Sequence, residues 1–401
     1  MNVNKNFKNM ALLALCLAIG AMFPAMQPAA VSASKLNAPG TVTAWGELQS
    51  WTPYPVALLP GVLAFDIASG WHGDLAATND GLYMWHGLGR GDTDQTMPAK
   101  IQLPPTVFEL KALAVGSGHS LVLTNDGLYA WGGNDKGQLG DGTTFSRFST
   151  PAKVIFPPAV TAITSIAAGY LHNLAITNDG LYAWGDNWNG EIGDGTRINR
   201  TLPVKVALPF TVTTVTAIAA GHNDSFAVTN DLVYAWGNDY TGQLGNGSFG
   251  IMADGSSDMG RTLPVRVLFN SGKKTKTSGV VTSVSQIATG ENYALAITND
   301  GLYAWGENLA GCLGIGTFDN TALPVKVTFP NAVTTVKQVA AGRIHSLAVT
   351  NDGLYAWGTN SAGQLGIGSN KTSNRPAPTK VPGEDNAVKA AAQEYHSLAL
   401  H

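Results

Sequence analysis

Hydrophobic and polar positions alternate in short runs along most of the chain, and one such run recurs many times. In the clearest copy, residues 166–196, Leu181 and Ala183 fall on one side of an extended segment, and Tyr182 and Trp184 fall on the other. The preceding Leu-Ala-Ile-Thr alternates in the same way, and Asn-Asp-Gly between the two runs is a strong hairpin signal. The pattern predicts antiparallel strands joined by tight turns, without a long amphipathic helix.

The repeat returns at intervals of 40 to 69 residues, which is typical of propellers and other arrays. Seven tryptophans occupy the same place in it: Trp45, Trp85, Trp131, Trp184, Trp236, Trp305 and Trp357. The copy around Trp45 has only the second half of the pattern, whereas residues 388–401 have only the first half. We therefore expect the two ends of the chain to complete one unit and close a ring, which removes free sheet edges.

Two further patterns predict the order of strands within a unit. The Ala-Ala-Gly run, as at 167–169, suits an innermost strand where units converge and bulky side chains do not fit. The Pro-x-(Lys/Arg)-Val segment, as at Pro203, suits an outer strand, because proline lacks a backbone donor for a central ladder. Leu232 replaces the turn glycine in one copy, so we expect that turn to differ locally.

The full pattern extends from Gly-x-x-His-Ser-Leu-Ala through Thr-Asn-Asp-Gly-Leu-Tyr-Ala-Trp-Gly to Gly-Gln-Leu-Gly, with its best copies at 116–140 and 342–366. It resembles the regulator of chromosome condensation repeat over essentially everything after residue 40, and is similar to the bacterial secreted type. The resemblance implies an all-β, seven-bladed β-propeller with four-stranded antiparallel blades that serves as a binding platform. Departures are local: the copy around Trp85 lacks Gly-Gln-Leu-Gly, and Cys312 takes a glutamine position.

Residues 1–33 have the features of a signal peptide. Lys5 and Lys8 precede an apolar run from Met10 to Met22, and small residues at 31–33 offer a cleavage site. The apolar run is shorter than the roughly 20 residues that span a bilayer. We therefore expect export to the periplasm or the extracellular space, cleavage, and no stable membrane insertion of the mature chain, 34–401.

The charge balance argues against a nucleic-acid partner. Removing residues 1–33 takes two lysines and no acids from totals of 24 basic and 27 acidic residues, which leaves a formal charge of −5. Nucleic-acid binding calls for a basic excess. Only Cys312 remains after cleavage, so no internal disulfide is expected.

Two segments exceed the repeat between Trp236 and Trp305. These insertions, 248–258 and 270–279, read as protruding loops, and the second contains Lys273, Lys274 and Lys276 between glycines and serines. Long loops are often functional, and the alternative is that both are tolerated surface insertions.

The chemistry-bearing residues predict no active site. Four histidines share one repeat position (His119, His172, His345 and His396), and their spacing of about fifty residues fits a structural role, bonded to a neighbouring turn, rather than a ligand motif. Calcium-loop, nucleophile-elbow and phosphate-loop patterns all fail at required positions. We therefore expect no catalytic residues, cofactor or metal.

Aromatic residues that break the repeat are the candidate contacts for a partner. One group lies around the loop after the Ala-Gly strand, and a second follows the Trp-Gly strand. The candidates are Trp71, Tyr170, Tyr293 and Tyr395 in the first group, and Trp188 and Tyr240 in the second. Exposed aromatic residues on rigid scaffolds make good binding anchors. The alternative is that each fills a local gap between units.

The sequence favours an exported, non-enzymatic, monomeric propeller that binds another protein through the loops of one face. One alternative is carbohydrate or cell-surface ligand binding, with Trp51, Trp71 and Trp188 as stacking platforms. Another is a delivered effector that acts as a guanine-nucleotide exchange factor on a small GTPase, with Lys273, Lys274 and Lys276 in the contact. The sequence does not name the partner.

Overall fold

A computed structural model of the chain shows a ring of seven antiparallel sheets. All 28 assigned elements are strands, and no helix in the described part is long and apolar enough to cross a membrane. The structure describes residues 40–46, 50–70, 73–85, 97–250, 260–269, 280–368 and 374–401. The predicted signal peptide, most of the 248–258 insertion and all of the 270–279 insertion lie outside these ranges.

Six blades are continuous in sequence, and each has its first strand innermost. Blade 1 contains β3 (Ala64–Gly70), β4 (Gly73–Thr78), β5 (Gly81–Trp85) and β6 (Ala99–Lys100). Blade 2 contains β7 (Leu110–Val115), β8 (His119–Thr124), β9 (Gly127–Gly132) and β10 (Arg147–Lys153). Blade 3 contains β11 (Ile163–Ala168), β12 (His172–Thr177), β13 (Gly180–Gly185) and β14 (Arg200–Lys205).

The next three blades repeat this arrangement. Blade 4 contains β15 (Val215–Ala220), β16 (Asp224–Thr229), β17 (Leu232–Gly237) and β18 (Arg261–Arg266). Blade 5 contains β19 (Val284–Thr289), β20 (Tyr293–Thr298), β21 (Gly301–Gly306) and β22 (Thr321–Lys326). Blade 6 contains β23 (Val336–Ala341), β24 (His345–Thr350), β25 (Gly353–Gly358) and β26 (Arg375–Lys380).

Blade 7 joins the two ends of the chain. Its strands are β27 (Lys389–Ala392), β28 (His396–Leu400), β1 (Val42–Gly46) and β2 (Ser50–Pro55), from the centre outward. β1 pairs with β28 over five residues, from Val42 opposite Leu400 to Gly46 opposite His396. The innermost strands contact one another in a closed cycle, β27 next to β3 included. The predicted ring of seven, closed by pairing the two terminal half-units, is confirmed.

The recurring letters of the hairpin form one hydrogen-bonded turn, shown here for blade 3. The Thr177 hydroxyl donates to the Gly180 carbonyl and accepts from the Asp179 backbone N–H. The Asp179 carboxylate accepts from the Tyr182 hydroxyl at 2.6 Å and lies 3.2 Å from the ammonium of Lys205 on the outer strand. These contacts fasten the outer three strands together at the turn end.

The hydrophobic core lies between blades, because the repeat tryptophan of one blade packs against the Gly-Gln-Leu-Gly segment of the blade before it. The Trp184 indole nitrogen donates to the Gln138 carbonyl at 3.0 Å, and Leu139 is buried in the same cluster. A Cβ on Gly140 would lie 2.8 Å from that indole nitrogen, so only glycine fits there. The same bond joins Trp236 to Glu191, Trp305 to Gln243, Trp357 to Cys312 and Trp45 to Gln364.

The repeat histidines form a second set of links between blades. Each Nε2 atom hydrogen-bonds a side chain of the next blade, at 2.7 Å from His119 to Asn173 and at 2.9 Å from His345 to Ser397. Corresponding bonds join His172 to Ser225 and His396 to Asp74. Burial lowers the pKa of His172 and of His345 to about 3, so these imidazoles are neutral. The histidines are structural as predicted, but they bond side chains rather than a turn's backbone.

Blade 4 breaks this series at Asp224. Its carboxyl is fully buried, neither oxygen has a hydrogen-bond partner, and burial raises its pKa well above the ordinary value. The position in blade 5 that would accept the link is Ala294, which has no polar atom to offer. The same blade holds Leu232 at a φ of 68°, where the other copies have glycine, so its turn differs locally as expected. The boundary between blades 4 and 5 therefore lacks the kind of side-chain link that the histidines form at other boundaries.

We predict that Asp224→His with Ala294→Ser stabilises the protein at neutral pH by about 1–3 kcal/mol, because it restores a buried hydrogen bond and removes an unpaired carboxyl. Because the pKa of Asp224 is raised in the folded protein, the contribution of this carboxyl to stability is fully present below its unfolded pKa of about 3.9 and is lost as pH rises. Thermal unfolding should therefore show a larger advantage for the variant at about pH 7 than at about pH 4. An advantage that shrinks as pH rises would contradict this account.

Candidate functional site

Two sets of loops emerge on the same face of the ring. In blade 3, β11 leads through 169–171 into β12, and β13 leaves toward the outer strand at Gly185, which pairs with His172 at the start of β12. The loop before β12 and the loop after β13 therefore lie at one end of the blade. We call this end of the ring the upper face. The Asn-Asp-Gly turns lie at the opposite end, the lower face.

The inner set of upper loops surrounds a cavity of about 120 Å³ at the mouth of the central channel. The second residue after the innermost strand varies among the blades that the structure describes there: Ser117, Tyr170, His222, Glu291, Arg343 and Glu394. The rings of Tyr170 and His222 stack, with centroids 4.0 Å apart and planes at 22°. Burial lowers the pKa of His222, which makes the stacked imidazole neutral at pH 7.

Arg343 holds the other side of the mouth. Its Nε donates to Glu291 at 2.8 Å, and one terminal nitrogen donates to Glu394 at 2.8 Å and to the Tyr395 hydroxyl at 3.0 Å. The hydrogen bond that this guanidinium donates to Glu291 is the main cause of its raised pKa. Blades 5, 6 and 7 are thus joined at the mouth by one half-buried cation between two carboxylates.

The outer set of upper loops carries large apolar side chains in three successive blades. Trp188 of blade 3 is 67% exposed, Tyr240 of blade 4 is 61% exposed and Leu309 of blade 5 is 71% exposed. All three occupy the position before x-Gly-x-(Leu/Ile) in their repeat, whereas blades 2 and 6 have Asp135 and Ser361 there. We call Trp188, Tyr240 and Leu309 the apolar arc. Their backbones are fixed, because Asn187 and Asn308 each accept a hydrogen bond within their own loop.

The predicted site residues separate into groups. Tyr170 and Tyr395 lie at the mouth, and Trp188 and Tyr240 lie in the apolar arc, so four of the six candidates share the upper face. Trp71, the side chain of Trp51, and Lys273, Lys274 and Lys276 lie outside the described residues. The predictions made for these residues are therefore not tested by the structure.

Tyr293 requires a correction. It is only 1% exposed, and its hydroxyl donates to the His345 carbonyl of the next blade at 2.5 Å and accepts from Ser346 at 3.0 Å. This tyrosine stands in the histidine position and supplies the same link between blades. A side chain enclosed in this way cannot serve as an exposed anchor for a partner, and Tyr293 leaves the candidate set.

Sequence reasoning missed Leu309 and the polar residues of the mouth. Leu309 is aliphatic and so falls outside the aromatic candidates, although it occupies the same repeat position as Trp188 and Tyr240. His222, Glu291, Arg343 and Glu394 all follow an innermost strand, at the most variable position of the repeat. A comparison of repeat positions, rather than residue types, would have found both sets.

The lower face also exposes apolar side chains, but they are arranged differently. Phe108 is 85% exposed and Phe210 is 96% exposed, in the connections that lead into blades 2 and 4. These two blades are not neighbours, so the lower face has no counterpart of the apolar arc at these positions. Within the described ranges, no group of three or more histidine, cysteine, aspartate or glutamate residues could hold a metal ion.

The fold and its one repeat per blade define a seven-bladed β-propeller built by sequence repetition. The chain belongs to the RCC1-like family, because the RCC1-like domain profile matches residues 86–401. The ultraviolet-B receptor UVR8 of Arabidopsis thaliana is 30% identical over 321 residues, which cover 78% of this chain and 68% of that protein. The human E3 ubiquitin-protein ligase HERC2 is 32% identical over 325 residues, but these cover only 6% of HERC2.

Solved structures show the same fold at lower identity. Prp20p from Saccharomyces cerevisiae, whose structure was described with its binding properties to Gsp1p and histones, superposes with a TM-score of 0.73 at 24% identity, over 91% of this chain and 92% of that one. Human WBSCR16 superposes with a TM-score of 0.72 at 23% identity, over 90% of this chain and 98% of that one.

We predict that Tyr293→Phe lowers the free energy of unfolding by about 1–2 kcal/mol, because it removes the hydroxyl that links blades 5 and 6. Tyr240→Phe makes the same chemical change on an exposed side chain and should have almost no effect on stability. Thermal unfolding of both variants measures the difference. Equal melting temperatures would show that the buried link contributes nothing.

Proposed function

We propose that this protein is a binding platform that holds another protein against its upper face. The observation that carries the proposal is the apolar arc. Three large apolar side chains project from adjacent loops whose backbones are held by internal hydrogen bonds, so they lose little conformational freedom on binding. Large apolar and aromatic side chains presented in this way are the usual anchors of protein interfaces.

The mouth of the channel extends the proposed interface inward. Tyr170 stacked on His222 adds a half-buried aromatic surface, and the network of Arg343, Glu291 and Glu394 adds charge. An apolar patch beside a polar, charged region corresponds to the core and rim of known interfaces. The relatives support a protein partner in general, since Prp20p is described as binding Gsp1p and histones, and a yeast RCC1 structure is described as bound to Kap60.

We further propose that the protein acts after export and without catalysis. The proposal of export depends on the pattern at residues 1–33, and the monomeric state and absence of enzymatic activity remain proposals from the sequence. The carbohydrate alternative depends on Trp51, Trp71 and Trp188, of which only Trp188 has a described side chain. The GTPase alternative depends on the lysines at 273, 274 and 276, which lie outside the described residues. The apolar arc favours the protein-binding proposal.

We predict that Trp188→Ser with Tyr240→Ser weakens capture of the partner at least about 100-fold, because each residue acts as an anchor worth about 2 kcal/mol or more. The wild-type protein would serve as bait for culture supernatant and cell-envelope extract, and the affinity of the captured protein would then be measured directly.

The lower face provides the matched control for this experiment. Phe108→Ser with Phe210→Ser removes two exposed aromatic rings from the opposite side of the same ring and should leave the affinity unchanged. Circular dichroism confirms that each variant is folded. If the two double variants bind the partner equally well, the upper face is not the interface.

A further inference from the structure

A cavity of about 290 Å³ opens on the upper face between blades 5 and 6. Its walls come from three loops: 291–293 and 307–312 of blade 5, and Arg343 with Ile344 of blade 6. The apolar arc reaches its rim, because Leu309 is one of the lining residues. The cavity is at the small end of the range for ligand sites, which suits a single side chain rather than a large molecule.

The cavity can be traced to a substitution in the repeat. At the preceding boundary, the Gln243 side chain accepts from the Thr241 backbone N–H at 2.8 Å and reaches across to Asn292 of blade 5 at 3.3 Å. In blade 5 the corresponding residue is Cys312, whose shorter side chain donates back to the Glu307 carbonyl of its own loop. Ile344 stands where Asn292 stood, so no polar bridge crosses this boundary at the corresponding positions.

The walls of the cavity carry excess negative charge. Glu291 and Glu307 both line it, and Glu291 shares the guanidinium of Arg343 with Glu394. Glu307 accepts a hydrogen bond from the Asn292 side chain at 2.8 Å, but no described cation lies within ion-pair distance of it. Glu291 and Glu394 thus share one guanidinium while Glu307 has no cationic partner among the described residues, so the three carboxylates and Arg343 together carry two excess negative charges.

The remaining walls are apolar. Ile344, Ala310 and Leu309 face the space beside Glu307, and the buried ring of Tyr293 lines it as well. An occupant that satisfies both kinds of wall needs an aliphatic stem that ends in a positive charge. Lysine and arginine side chains have this construction, since they bury the stem and direct the charged group to a polar partner.

From the shape and charge of the cavity, we propose that it receives one lysine or arginine side chain of the partner protein, with the charged end at Glu307. This proposal deepens the protein-binding function and rests on it. The basic residue would enter beside an apolar segment that covers Leu309 and Tyr240, so the interface selects a partner with a basic residue adjacent to an apolar patch. Glu307 supplies specificity, because a partner protein with a neutral residue at this place would leave the Glu307 carboxylate without a cation.

The test uses N-butylguanidinium as a probe of the cavity alone, and N-butylurea as its neutral counterpart of the same shape. Calorimetric titration of the wild-type protein should give millimolar binding of the cation, the affinity expected for a fragment of this size, and about tenfold weaker binding of the urea. Binding of the two probes with equal affinity, or no binding of either, would overturn the proposal.

Three variants show where the probe binds. Glu307→Gln removes the charge and should weaken N-butylguanidinium about tenfold or more. Cys312→Gln restores the residue of blades 2, 4 and 6, extends a longer side chain into the cavity and should weaken binding while the ring stays folded. Asp135→Asn makes the same charge change on an exposed residue of blade 2 and should bind as the wild type does. The pocket assignment would be refuted if Asp135→Asn lost as much affinity for the probe as Glu307→Gln does. Unchanged affinity of the Cys312→Gln variant for the probe would refute it as well.

The probe experiment is independent of the partner. If N-butylguanidinium binds normally but capture of the partner does not depend on Trp188 and Tyr240, the proposed function is contradicted and the pocket assignment stands. Capture that depends on Trp188 and Tyr240, without binding of the probe, would contradict the pocket alone. With a partner identified, its affinity for the Glu307→Gln variant should fall about tenfold, and an unchanged affinity would refute entry of a basic side chain.

Discussion

The ring depends on one recurring contact, in which a buried tryptophan enters the glycine-lined socket of the blade before it, as Trp45, Trp184, Trp236, Trp305 and Trp357 do. The indole bonds the carbonyl of that socket, and its ring fills a core that neither blade could complete alone. Hydrophobic clusters consequently span two blades, as where Leu121 of blade 2 packs with Trp184 of blade 3. A chain larger than the usual limit for a single core is stabilised as a series of small cores between neighbours.

This constraint separates structural positions from positions available for binding. The turn residues, the tryptophan, the glycines of the socket and the linking histidine all have fixed partners in the ring. The position after the innermost strand and the position of Trp188 face outward and differ between blades. A surface can therefore be varied on the upper face without disturbing the core. Blades 4 and 5 depart from the repeat at Asp224, Ala294 and Cys312, and they flank the region where the apolar arc and the cavity meet.

The repeat made most of the fold predictable from the sequence. Alternation predicted the strands, Asn-Asp-Gly predicted the turns, and the two half-units predicted the closed ring. The site was less predictable because its properties arise across blade boundaries. Tyr293 looked like a surface aromatic until its burial against His345 was seen. The cavity beside Cys312 exists because a side chain that bridges the preceding boundary is missing, which becomes visible only when residues about fifty positions apart are placed together.

The pairing of β1 with β28 has a consequence for the order in which the protein folds. Synthesis delivers the amino-terminal strands first, yet β1 and β2 have no sheet to join until β28 has been made. Blades 1 to 6 can assemble progressively as they emerge, each against its predecessor. Blade 7 must form last, through a contact between residues more than 340 positions apart. Until that final step the nascent chain is an open arc with two unpaired ends, and this is the interval in which a chaperone would have most to protect.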